Sequence, residues 1–249
     1  MKSWVLNPAF ADGETGQLFA DLPSVFALQG ESITTDDISE VHRLCIVDGR
    51  CYYIKRYVEA GKNLRRFIGR PRIRAEWENL LKFQRWGIPT VPVVAYGMER
   101  AGLGFGRGAL ITLGIDDTDD LAQLARSDDP RLHDRHWLNT VMAQVARGTR
   151  IMHEHGFAHN DLKWRNILVD RTASPQVYFI DCPAGRKWPG PLLHYRIIKD
   201  LACLDKLGKY HLRRVDRLRF YLAYTQRQRL TAADKKRIRA ILAFFEGRE

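Results

Sequence analysis

The stretch His159-Asn160-Asp161-Leu162-Lys163-Trp164-Arg165-Asn166-Ile167-Leu168-Val169 constrains this chain more than any other. A carboxylate, an amine and an amide fall close together, and the chain then runs directly into an apolar segment that reads as a buried strand. The turn-like segment Arg171-Thr172-Ala173-Ser174-Pro175 separates that strand, ILVD, from a second one, QVYFID, which ends on Asp181. Moving a γ-phosphoryl group requires a carboxylate near the acceptor hydroxyl and oxygen ligands for magnesium, without which the phosphate charge stays uncompensated. Asp161, Asn166 five residues later and Asp181 twenty residues after Asp161 supply both.

The order of these residues resembles the protein-kinase pattern H-R-D-L-x-x-x-N followed by D-F-G, in which the first Asp is the base and the Asn and second Asp hold metal ions. Here His159, Asp161, Leu162, Asn166 and Asp181 match, whereas Asn160 replaces Arg and Cys182-Pro183 replaces Phe-Gly. Those departures put in doubt any control built on an activation loop. Asp161 is therefore the expected catalytic base, with Asn166 and Asp181 as magnesium ligands. Lys163, two residues beyond the base, is placed to offset charge on the transferring phosphate.

The same chemistry demands an earlier strand lysine for the nucleotide phosphates and a helical glutamate to hold it. Lys55, in CYYIKRY, meets the first demand. Glu76 and Glu78 both lie in the helix that follows. At about 100° per residue, Ile73, Trp77, Leu80, Leu81 and Phe83 form one apolar stripe, and Glu76 falls inside it while Glu78 falls outside. A carboxylate on a buried face needs a partner, so Glu76 is the expected partner of Lys55.

Around these motifs the first part of the chain reads as strands: SVFAL, VHRLCIV and RCYYIKRYV, with Asp48-Gly49 as a hairpin turn between the last two. A helix is expected from about Arg72 to Trp86, ended by Gly87 and Pro89, and TVPVVAYG and GALITLGI read as two more strands. From Asp119 onward helices dominate, with a long amphipathic one from about Arg135 to His155 closed by Gly156 and three more between Leu192 and Phe245. The fold class this implies is α+β: a bilobal protein-kinase-like fold, with an antiparallel sheet and one helix in an N-lobe (1–113) and a mainly helical C-lobe (114–249). The 249 residues would form a single functional unit with a cleft between its halves.

The formal charge of +11 favours anionic partners without choosing among them. No apolar run approaches the roughly 18 residues of a membrane span, and Asn7, Pro8 and Asp12 interrupt any signal-like start. A cytoplasmic protein is expected. Cys45, Cys51, Cys182 and Cys203 form no CxxC pair, so reduced thiols are expected rather than a disulfide frame or a zinc site.

Three segments invite other readings. Gly102–Gly108 (GLGFGRG) looks like a phosphate cradle but follows Lys55 instead of preceding it, which favours a hairpin turn. Gly30–Asp37 is the better covering loop by position, although it lacks G-x-G-x-x-G. His153, His155 and His159 fit no zinc spacing and suggest structural roles. The segment KNLRRFIGRPRIR, with six lysines and arginines and no carboxylate, is either a solvated face or a contact for an anionic substrate or acidic headgroups. No groove-reading fold or stacking platform is visible, so nucleic acid is not an expected partner.

Taken together, GESIT, YYIKRY, AEWENLLKF, GIPT, VAYG, FAHNDLKWRNILV, FIDCP, KDLACLDK and DRLRFYLAY resemble the lipopolysaccharide kinase (Kdo/WaaP) family of bacterial sugar kinases over most of the chain. The resemblance implies ATP and Mg2+ as cofactors, Asp161 as base, Asn166 and Asp181 on magnesium, Lys55 with Glu76 at the ATP, and Asp200 as a helical brace for the catalytic loop. It implies a Kdo or heptose hydroxyl of the lipopolysaccharide inner core, on a lipid A-linked saccharide, as acceptor. It also implies work at the inner face of the bacterial inner membrane, with an anionic membrane surface as a further partner. A kinase for protein or small-molecule acceptors, and a nucleotide-binding pseudokinase scaffold, are the alternatives, because the motif specifies the reaction far better than the acceptor. Trp164 and Arg165 stand where protein kinases often carry Pro-Glu, and are expected to face the acceptor.

Overall fold

The structure is a computed structural model and describes residues 3–60, 69–102 and 104–247. It divides into two compact units, residues 1–82 with 91–115 and residues 83–90 with 116–249.

The first unit is built on a six-stranded sheet with neighbours in the order β1-β5-β6-β4-β3-β2. In chain order its elements are β1 (Ser3–Leu6), α1 (Gly13–Leu18), α2 (Leu22–Ala27), β2 (Glu31–Thr35), β3 (Ser39–Cys45), β4 (Cys51–Tyr57), α3 (Arg72–Arg85), β5 (Val93–Ala101) and β6 (Gly104–Leu113). Every pairing in this sheet is antiparallel. Alternation along β4 buries Tyr52 and Ile54, which pack with Phe19, Leu22, Val25, Val94 and Ile111 into one core. In the segment 102–108, Leu103 lies outside the described residues, Gly102 follows β5 and residues 104–108 open β6, while Gly30–Asp37 makes β2 and the turn into β3.

Two sequence expectations are corrected in this unit. SVFAL forms most of α2 instead of a strand. Asp21 caps that helix, its carboxylate accepting the Ser24 N–H at 2.8 Å, and Pro23 stands in the first turn, where its fixed φ and missing N–H cost nothing. Cap chemistry here outweighs the β-branched and aromatic residues. The second correction concerns the thiols. Cys45 and Cys51 are directly opposite each other on β3 and β4 and are joined by a disulfide, while Cys182 and Cys203 are free and buried. The hairpin set by Asp48-Gly49 brings the pair together, which CxxC spacing rules do not register.

Most of the basic segment KNLRRFIGRPRIR lies outside the described residues. In its described part, Arg70 and Arg74 each lie 2.7 Å from the carboxylate of Glu78.

The second unit contains β7 (Thr118–Asp120), α4 (Leu121–Arg126), α5 (Arg135–Glu154), β8 (Phe157–Ala158), β9 (Ile167–Asp170), β10 (Val177–Phe179), β11 (Arg186–Lys187), α6 (Gly190–His211), α7 (Arg214–Thr225) and α8 (Ala232–Leu242). Two small antiparallel sheets, β10-β9-β7 and β11-β8, lie among the helices. Asp134 caps the 20-residue α5, accepting from His136 N and Trp137 N. Gly148 of α5 faces the Phe179 ring so closely that a Cβ there would come within 2.4 Å of it, so only glycine lets α5 and β10 approach to this depth. Among the described residues no helix is long and apolar enough to cross a membrane.

Candidate active site

In the first unit, Lys55 on β4 lies 2.8 Å from Glu76 on α3. Glu76 is 3% exposed, and its other oxygen accepts the Tyr57 hydroxyl at 3.1 Å. Tyr57 follows Lys55 by two residues, so both side chains leave the same face of the strand. That period-two relation is present in the sequence as Lys55-x-Tyr57. Glu78 points elsewhere, to Arg70 and Arg74. The stripe geometry of α3 thus separates the two glutamates as the sequence implied.

In the second unit, residues 159–166 connect β8 to β9. Lys163 lies 2.6 Å from Asp161, and Arg165 lies 3.6 Å from it on the other oxygen. The Asn166 amide donates its N–H to the Asp161 backbone carbonyl at 2.8 Å. Ile180 N donates to Asn166 O at 3.0 Å, so Asp181 follows immediately on a backbone bonded to the loop. Asn160 and Asp181 both take left-handed backbone, with φ of 66° and 54°, a conformation rare outside glycine and enriched for Asn and Asp. Asn160 uses that turn to donate its amide to Ala158 O and Ala184 O. Where protein kinases carry Arg, this chain therefore ties the loop down through an amide.

Below the loop, Asp200 of α6 is fully buried and accepts two backbone N–H groups, from His159 at 2.7 Å and Asn160 at 2.8 Å. His153 approaches the same carboxylate at 3.4 Å while bonding the Tyr224 hydroxyl at 2.8 Å. His155 stacks on Trp86 and His159 on Phe83, so the three histidines serve the packing of this unit. Trp164 is turned inward and 7% exposed, its indole N–H donating to Leu204 O at 2.8 Å. This corrects the expectation that it faces the acceptor: an indole at this position completes the core under the loop, and only Arg165 stays outside.

Burial holds the His159 imidazole below its ordinary value of 6.5, outweighing the pull of Asp200, Asp181 and Asp161 in the opposite direction. The folded chain keeps this ring neutral while the unfolded chain protonates it. The stability it contributes is complete above about 6.5 and is lost progressively as pH falls below that value, where the unfolded state binds more protons. The melting temperature is expected to fall between pH 7 and pH 5, and to fall less steeply in His159→Asn. Parallel slopes for the two proteins would show that this ring does not control acid stability.

The fold is that of the protein-kinase-like phosphotransferases, with a lysine–glutamate pair on an antiparallel sheet and its helix, and a braced Asp-x-Lys-x-x-Asn loop in a mainly helical unit. The chain belongs to the lipopolysaccharide kinase (Kdo/WaaP) family, whose sequence model matches residues 29–237. A solved structure described as WaaP in complex with acyl carrier protein is similar to it with a TM-score of 0.74 and 25% identity, covering 98% of this chain and 97% of that one. A search of curated protein sequences finds no match.

Proposed function

We propose that this protein is an ATP- and Mg2+-dependent kinase that phosphorylates a Kdo or heptose hydroxyl of the lipopolysaccharide inner core. The observation that carries this reading is Asp161, held by a loop whose backbone hangs on the buried Asp200 and whose charge is balanced by Lys163 at 2.6 Å. A carboxylate fixed in this way accepts a proton from an acceptor hydroxyl, and the neighbouring ammonium offsets charge on the phosphoryl group.

The donor chemistry also fits the residues present. Asn166 and Asp181 offer hard oxygens, the kind magnesium takes together with phosphate oxygens and water. Among the described residues no group of three or more His, Cys, Asp and Glu side chains forms a metal cage, and a magnesium ion shared with a nucleotide needs none. Lys55, held by Glu76, is the cation for the nucleotide phosphates. When bound, the nucleotide supplies the phosphoryl group and magnesium neutralises its charge. Incubating the purified protein with ATP, Mg2+ and lipid A-core acceptor from a kinase-deficient strain should yield a phosphorylated saccharide. Label appearing only on protein would sink the assignment.

We infer a partner of acyl-carrier type as well, in keeping with the acyl carrier protein named in the solved neighbour's complex. An apolar cavity of about 560 Å³ lies in the second unit, lined by Trp137, Met142, Trp164, Leu201, Tyr221 and Ile241, with the exposed Arg214 also on its wall. It suits an acyl chain delivered by an anionic carrier. Met142→Trp, which narrows the cavity, should abolish co-purification of acyl carrier protein and lower the melting temperature of the complex to that of the protein alone. Unchanged co-purification would remove this partner from the reading.

A further inference from the structure

The segment from Cys182 to Lys199 carries Arg186, Lys187, Arg196 and Lys199 and no carboxylate. Most other arginines described here meet an acidic partner, among them Arg56, Arg131, Arg171, Arg217 and Arg227. Arg186 and Arg196 instead stack on one indole: their guanidinium carbons lie 3.8 Å and 4.3 Å from the Trp188 ring centroid. Two like charges are thereby gathered on one ring, and among the described residues no carboxylate is bonded to either. The Trp188 indole N–H and the Arg196 Nε–H also find no acceptor there. A guanidinium stacked by its face keeps its planar fork of N–H donors for a carboxylate or phosphate, which it takes in bidentate fashion.

The arm that carries Arg186 and Trp188 is fastened to β8 and to the start of the loop that carries Asp161. Arg186 pairs with Ala158 in the β11–β8 ladder, and Trp188 N donates to Gly156 O at 2.9 Å. Ala184 O accepts from Asn160. Arg196 lies one turn before Asp200 on α6, and so shares a face with the carboxylate that holds the backbone of His159 and Asn160. We infer that Arg186, Trp188 and Arg196 form a clamp for an acidic group, carboxylate or phosphate, on the saccharide acceptor, and thereby position its hydroxyl for Asp161. This rests on the proposed phosphorylation of a lipopolysaccharide core.

The test is steady-state kinetics on deacylated core oligosaccharide. Arg186→Ala and Arg196→Ala should each raise the acceptor KM on the order of 10-fold, as expected for losing a charge-assisted contact, while the KM for ATP stays within about twofold. Arg196→Lys, which keeps charge but loses the fork, should fall between them and wild type. With an acceptor whose carboxylates are reduced and phosphates removed, wild type should already show the raised KM and the alanine variants should add nothing. An unchanged acceptor KM, or an equal loss on the neutralised acceptor, overturns the clamp. So does loss of binding to phosphatidylglycerol vesicles with the acceptor KM intact, which would make the cluster a membrane contact. If wild type transfers no phosphate to any core acceptor, the parent reading falls. The clamp is then read by calorimetry with the same oligosaccharide, and equal Kd values for wild type and Arg186→Ala overturn it.

Discussion

Asp161→Asn is expected to lower kcat for phosphoryl transfer by about a thousandfold, within the 10²–10⁴ range of a lost general base, with the KM for ATP nearly unchanged. A thousandfold corresponds to about 4 kcal/mol of barrier. The substitution keeps the shape of the side chain and its place in the loop, and removes the proton acceptor and the charge that Lys163 balances at 2.6 Å. Lys163→Ala should act in the same direction with a smaller effect, because the base survives. The measurement is product formation under saturating ATP, with a melting curve to show that the loop is still folded. If Asp161→Asn retains a tenth or more of wild-type kcat, another group takes the proton and Asp161 is only a structural residue.

Asp200→Ala is expected to be the most damaging substitution for stability. Two buried backbone N–H groups, of His159 and Asn160, lose the acceptor that the fully buried Asp200 supplies. Leaving a buried donor unsatisfied costs about 1–3 kcal/mol each, so a loss of about 2–6 kcal/mol is expected. Asp200→Asn keeps one acceptor oxygen and places an amide N–H against the other donor, so it should lie between alanine and wild type. Urea unfolding reads the difference. A loss of less than about 1 kcal/mol for the alanine variant would mean that the loop finds other acceptors, and that its geometry does not hang on α6. Because the same backbone bonds precede Asp161 directly, kcat should fall with stability in this series.

Reading the chain alone worked where a single local rule was decisive. The helical period placed Glu76 on the buried stripe and Glu78 outside it, and the structure joins the first to Lys55 and the second to two arginines. Turn chemistry located the Asp48-Gly49 hairpin, and spacing collected Asp161, Asn166 and Asp181 around two short strands. It failed where two local signals competed or where the partner lay far along the chain. At SVFAL the Asp21 cap and Pro23 overrode strand propensity. At Cys45 and Cys51 the strand register made a disulfide from residues that no cysteine spacing rule connects. Trp164 stands where protein kinases often carry Pro, and position alone suggested the acceptor, yet its N–H reaches Leu204, forty positions away.

What the sequence by itself determined was a local arrangement: the carboxylate of Asp161, the ammonium of Lys163, the amide of Asn166 and the later Asp181, at spacings that a loop and a hairpin hold through neighbouring residues. Such contacts are short-range along the chain, so composition and period suffice to read them. The brace from Asp200, implied by the family resemblance, is present as two N–H bonds. Only the tertiary structure decided what surrounds those groups: the inward turn of Trp164 and the stacking of Arg186 and Arg196 on Trp188 depend on how α6 packs against the loop. Packing of that kind is set by the sum of many buried contacts, and no local pattern in the chain encodes it.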